Sequence, residues 1–363
     1  VGIGFSSVAV VGDLVVTLGD RNDGCHLIAV SRNDGKRVWD VQVGAKGDGG
    51  GYRGSRGTPT VDGDRVYALC PKGELVCCGL KDGAKVWEKH LAKDFQGSSG
   101  GWQYAESPLV DGDKLVCTPG GKDATVAALN KATGDVLWKG ATKQGEAAGY
   151  SSVMVSHAGG VKQYVTLTSN GVVSFDAEKG KLLWQYGTTN ERFAGNTANI
   201  PTVVLFDDPN KIFAATGYGR GAGLISLSRA GDKFNVKEVY WSPKLKNKHG
   251  GIIRVGKHLY GDHDDTGRIW CADSDTGKFK WERDDGAKGS GSASMCYADG
   301  MLYVRFQNGY VSLVDANPSA YKLAGTFKVP NGTGDCWAHP VVVGGKCYVR
   351  EKETIWCYDV AKK

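Results

Sequence analysis

The sequence predicts an all-β chain folded as an eight-bladed β-propeller of four-stranded antiparallel blades, and three observations predict it. A turn glycine followed four residues later by tryptophan recurs as Gly35/Trp39, Gly83/Trp87, Gly134/Trp138, Gly180/Trp184 and Gly277/Trp281. Eight tight turns between apolar runs recur at intervals of roughly 44 to 51 residues, the range of blade-type repeats. Between these markers apolar residues alternate with period two or form short runs, and no sustained 3.6-residue period appears.

The tight turns fall at 11–13, 62–64, 111–113, 158–160, 208–210, 255–257, 299–300 and 344–345. Most carry Gly or Asn, which tolerate the positive φ of short hairpin turns. The third repeat reads most clearly as four strands, at 106–111, 114–118, 125–129 and 136–139. Three repeats depart from the pattern. The fifth (199 to about 243) carries Trp241 without a glycine before it. The seventh replaces the tryptophan strand with 321–327. The eighth (338–360) has room for three strands. Its fourth is expected from Val1–Phe5 or residues upstream, because a closed ring leaves no sheet edge unpaired. The whole of 1–363 is therefore read as one propeller.

Composition agrees with a turn-rich globular chain. Glycine supplies 54 of 363 residues, about twice ordinary usage, and this fits a chain with many tight turns. The net charge of +6 is spread over mixed-sign turns. The basic run Lys244–His249 reads as a solvated loop, and no aromatic-interleaved basic stripe supports nucleic-acid binding. No apolar run reaches the roughly 18 residues of a membrane span, and no signal peptide is visible. Of the ten cysteines, Cys77 and Cys271 stand six residues before a turn glycine, where other repeats hold Ala29, Ala128 and Ser174. Cys357 stands at the same place in the last repeat. That slot calls for a small buried side chain, a role free cysteine fills. Adjacent Cys77 and Cys78 would point to opposite faces of a strand, which disfavours a bond between them.

The segments 175–184 and 271–281, each an Asp followed by a turn glycine and then Trp184 or Trp281, resemble the tryptophan-docking motif of the PQQ-like (quinoprotein-like) β-propeller family. Within that family the likeness extends to BamB-like and polyvinyl-alcohol-dehydrogenase-like bacterial propellers. The resemblance implies that Trp39, Trp87, Trp138, Trp184 and Trp281 are structural, each docking on the neighbouring blade. It also implies an extracytoplasmic location, periplasmic or secreted.

Residues leading into the first strands of the blades are richer than packing requires. Arg53, Arg56, Trp102, Tyr104, Glu106, Asn199, Tyr218, His249, Trp337 and His339 are expected to face a central funnel, the default site for a ligand. A quinoprotein dehydrogenase would need PQQ and a calcium ion held by oxygen ligands. The family's amide ligand falls here on Tyr218, its glutamate on the Glu-free loop 119–124, and its aspartate base on 246–251, so the family positions are not matched and no cofactor is expected. Asp262, Asp264 and Asp265 precede Gly267 as in the start of a calcium loop, without the closing Glu. The sequence therefore favours a non-catalytic binding or scaffold module for a protein or polymer partner. A quinoprotein alcohol or sugar dehydrogenase with altered ligands is the alternative. A carbohydrate binder stacking glycans on Trp102, Tyr104 and Trp337 is the second.

Overall fold

The computed structural model describes residues 1–283, 288–332 and 334–361. It is an eight-bladed β-propeller: seven sheets have four strands, the last has three, and neighbouring strands in each sheet follow one another in sequence. The blades span 9–44, 60–90, 109–140, 154–186, 204–242, 253–282, 293–328 and 341–359. The longest helix among the described residues is the single turn Leu91–Asp94. No described helix is long and apolar enough to cross a membrane.

The chain divides into two compact units. One holds Val1–Val155, Lys162–Gln185 and Lys352–Thr354; the other holds Ser156–Val161, Tyr186–Glu351 and Ile355–Lys363. In the first unit the short first strands of blades 1, 2 and 3 lie side by side, and in the second those of blades 6, 7 and 8 do the same. Second and third strands are the most buried, as Leu14–Asp20 and Glu74–Gly79 illustrate.

The repeated Gly-x-x-x-Trp unit is a junction, and both of its residues serve it. Trp39 donates its indole N–H to the carbonyl of Leu80 at 2.9 Å, Trp87 to Lys131 at 2.9 Å, and Trp281 to Asn317 at 2.7 Å. Trp138 makes the same bond to Ala177 at 3.3 Å. The rings of Trp39, Trp87 and Trp138 then lie on the turn glycine of the following blade. A Cβ on Gly83, Gly134 or Gly180 would fall 2.8, 2.8 or 2.4 Å from the ring of Trp39, Trp87 or Trp138. Those glycines also hold positive φ, so two independent constraints select glycine there. Four of the five tryptophans thus bond to the backbone of the following blade. Trp184 differs, because its N–H goes to Gln163 of its own blade at 2.6 Å.

Register explains the small-residue slot. Ala29, Cys77, Ala128 and Cys271 are the cross-strand partners of Trp39, Trp87, Trp138 and Trp281, and each ladder has a bulge one step later. A small side chain opposite the indole leaves room for it. Cys357, at the same place in blade 8, has no fourth strand opposite it and is exposed. Burial there was expected and is absent for that reason.

In blade 5 a tyrosine takes the docking place. Relative to the bulge after Leu224, the residue in the docking register is Tyr240. Tyr240 lies on Gly277, whose Cβ would fall 2.5 Å from the ring, and its hydroxyl donates to Ser274 at 2.9 Å. Trp241 instead packs edge-on against Phe193. In blade 7 the docking register holds Gly325, and Phe327 two residues on packs against Tyr358 of blade 8.

Residues 1–5 do not supply the fourth strand of blade 8 expected of them. They form isolated bridges, Ile3 to Asp20 and Gly4 to Ser55, while the Val1 amine donates to Glu353 at 2.7 Å. Close approach fixes this course: a Cβ on Gly2 would fall 2.8 Å from the Asp20 carbonyl, and one on Gly54 would fall 2.4 Å from Gly4.

Candidate functional site

In the first unit, most of the expected ligand residues hold loops. Asp20 is buried at the end of a second strand, where it accepts Gly47 N–H at 2.5 Å and the Ser55 hydroxyl at 2.6 Å. Arg56 donates to the carbonyls of Gly49, Tyr52 and Gly54, closing loop 49–54 over itself. Burial pulls its pKa below the ordinary guanidinium value. Trp102 packs beneath that loop: a Cβ on Gly50 would fall 2.3 Å from its ring, and Tyr150 lies 5.3 Å away on its flank. Tyr104 is buried and donates to Pro119 at 2.8 Å. Glu106 is 3% exposed and accepts Thr118 N–H at 2.6 Å. Burial pushes its carboxyl up to about 7. Arg53 remains exposed, on the rim of a depression of about 680 Å³ that Lys46 and Asp48 also line.

A recurring device emerges. A Thr or carboxylate at the end of a second strand clamps the loop that leads into a blade. Thr118 donates its backbone N–H to Glu106, and the Thr168 hydroxyl donates to Glu146. In the second unit Thr216 donates to Asn199 at 2.7 Å and receives Asn196 at 2.8 Å, while Asp262 receives Asn247 at 2.6 Å and Ala293 N–H at 2.9 Å. Asn199 is 1% exposed. Glu106 and Asn199 are thus positioned as clamps and do not present their polar atoms to solvent. The sequence shows that they are polar; it does not show which way they face.

The second unit also gathers residues that the sequence scatters over more than a hundred positions. Lys248 sits 5.2 Å over the ring of Tyr218 and pairs with Asp265. Asp265 also accepts the Ser292 hydroxyl at 2.7 Å, and Ser292 lies 3.2 Å from His249 Nδ1. The His249 ring stacks on Trp337 at 4.6 Å, and His339 Nε2 approaches the His249 carbonyl at 3.1 Å. Tyr218, His249, Trp337 and His339 therefore do meet, through Lys248, Asp265 and Ser292. Tyr218 and Asp265 both hold positive φ, 53° and 50°. Such conformations in non-glycine residues persist where surrounding contacts over-determine them, and they concentrate at functional sites. His339 is solvent-accessible, yet desolvation by surrounding protein pulls its pKa down. Lys248 was hidden in a run read as a solvated loop; it is 6% exposed, and Asn247 beside it is fully buried.

The three aspartates proposed for calcium are divided among separate donors. Asp262 serves the clamp and is pushed up to about 8, chiefly by burial. Asp264 accepts Gly219 N–H at 3.0 Å, and Asp265 pairs with Lys248. Burial raises Asp265, but the bonds from Lys248 and Ser292 outweigh it and hold the carboxyl below its usual range. Among the described residues no three His, Cys, Asp or Glu side chains are grouped to hold a metal ion.

A family profile described as "Outer membrane protein assembly factor BamB" matches residues 23–283. The chain belongs to this family. A BamB of Shewanella oneidensis is 22% identical over 355 residues, covering 86% of this chain and 85% of that one. The solved BamB of Moraxella catarrhalis superposes with TM-score 0.65 at 14% identity, over 97% of this chain and 92% of that one. A quinohemoprotein alcohol dehydrogenase from Comamonas testosteroni superposes with TM-score 0.66 at 13% identity, over 96% of this chain but 70% of its own. At such identities the solved structures share the fold.

The dehydrogenase likeness raises PQQ and calcium, and the residues present do not fit them. A hard divalent cation takes six to eight oxygen ligands. Around Tyr218 the structure instead places the Lys248 ammonium, already paired with Asp265. A fixed cation there repels a second one. The glycan reading loses two of its three platforms, since Tyr104 is buried and Trp102 is packed beneath loop 49–54.

Proposed function

We propose that this chain is a non-catalytic, protein-binding propeller of the BamB type, acting outside the cytoplasmic membrane in the assembly of outer-membrane proteins. Family membership and the near full-length likeness to BamB proteins support the reading. The single observation that carries it is how the reactive side chains are used. Glu106, Asn199, Asp262 and Arg56, the groups best suited to acid–base or ligand chemistry, hold loops in place. A scaffold needs loops of fixed shape, and internal clamps supply them.

The surface we assign to the partner is the cluster of Tyr218, Lys248, His249, Trp337 and His339. Aromatic rings and a buried cation suit the hot spots of protein interfaces. Crosslinking and pull-down of the protein from its native source test the reading. The expected result is an outer-membrane assembly protein captured by the wild type and lost from Trp337→Ala of unchanged melting temperature. A quinone absorption band with stoichiometric calcium and dye-linked alcohol oxidation would overturn it.

A further inference from the structure

Cys25 opens the third strand of blade 1, and Cys70 follows the second strand of blade 2. Both are fully buried and belong to one apolar cluster at the junction of these blades. Gly44 is the cross-strand partner of Cys25, and a Cβ placed on it would fall 2.9 Å from the Cys70 sulfur. The missing side chain of Gly44 is therefore what lets the second sulfur approach the strand end that carries the first. Cys25 Sγ also lies 3.1 Å from Ser55 Oγ, in the loop that leads into blade 2. Both cysteines are free thiols in the structure, and both are buried in the same junction.

We propose that Cys25 and Cys70 are a disulfide site that staples blade 1 to blade 2. The thiols lose two protons and two electrons as the S–S bond forms. The acceptor is a disulfide, of glutathione or of an exchange protein, which is cleaved to two thiols. Attack needs a thiolate. In the closed protein the bond from Cys25 and burial hold the Cys70 thiol well above its usual range. Exchange therefore occurs while the blades are still opening and closing on one another. Once they close, the same burial shields the bond from reductant.

The test does not depend on the compartment or the partner, so its failure would leave the proposed function standing. The full chain is refolded in a glutathione redox buffer, alkylated under denaturing, non-reducing conditions and digested with trypsin. Cys25 and Cys70 fall in the peptides 22–32 and 66–72, each with a single cysteine. The expected product is these two peptides joined, 2 Da lighter than their sum, and separated by dithiothreitol. It is absent from Cys70→Ala, and its melting temperature exceeds that of reduced protein by ~5 °C. Both peptides alkylated in cooperatively melting protein would overturn the proposal. If refolding fails, the same digest of protein secreted through an oxidising compartment decides.

Discussion

Trp87 lies on Gly134, the turn glycine of the following blade, and donates its indole N–H to Lys131 three residues before it. One side chain thus makes an apolar and a polar contact with a single turn, and the turn admits no side chain of its own. Trp87→Ala is expected to cost about 3–5 kcal/mol, as for other buried aromatic truncations. Trp87→Phe keeps the ring contact and loses the bond, at about 1 kcal/mol. Urea melts of the three proteins check the order.

Gly134→Ala and Gly35→Ala separate the two constraints on the glycine. Both hold positive φ, 77° and 70°, so each substitution carries backbone strain of about 1–2 kcal/mol. Only Gly134 has a ring against it, and no atom lies within 4 Å of a Cβ on Gly35. Gly134→Ala is expected to destabilise by about 1–3 kcal/mol more, the range for overpacking. Equal losses in denaturant melts would show that φ alone selects the glycine.

Blade 5 gives a test in which the tyrosine outranks the tryptophan beside it. Tyr240→Phe should lose the bond to Ser274, about 1 kcal/mol, and Tyr240→Ala should match a Trp87→Ala loss. A Trp241→Ala variant still retains the junction to Gly277. The readout is hydrogen exchange at the 274–277 turn, which should speed up in Tyr240→Ala and stay slow in Trp241→Ala.

Stability should fall as pH rises through the range where the buried carboxyls ionise. Folded Glu106 keeps its proton until about pH 7, whereas the unfolded carboxyl releases it near 4.5. The native state therefore binds more protons in between, and its stability decreases from about pH 4.5 to pH 7 and then levels. The loss is on the order of 3 kcal/mol. Asp262 acts with the same sign, with its folded pKa at about 8. Glu106→Gln removes one of these ionisations, so its melting temperature should change less between pH 5 and pH 8 than that of the wild type. An unchanged slope would mean that water reaches Glu106.

The sequence made the blades legible because turn glycines and ladder periods are local, and their spacing survives without knowledge of the neighbours. Blade 5 lacks the Gly-x-x-x-Trp spacing, and the residue that takes the docking register opposite Leu224 is Tyr240, which no local spacing marks. Glu106 and Asn199 were legible as polar residues at blade lead-ins. Their partners, Thr118 and Thr216, lie 12 and 17 positions away, and nothing local marks such a pairing. Lys248 was obscured by its basic neighbours, since a run of like charge normally faces water. Its partner Asp265 lies 17 residues on, in a turn read for another purpose.

The junction bonds also have a short reach along the chain. They span 41, 44, 39, 34 and 36 residues from Trp39, Trp87, Trp138, Tyr240 and Trp281. Each ring thus finds its seat on the repeat synthesised next. Vectorial synthesis can then set these five junctions one after another, each as the next repeat emerges. A nascent chain paused after blade 3 already holds the partners for two finished seams.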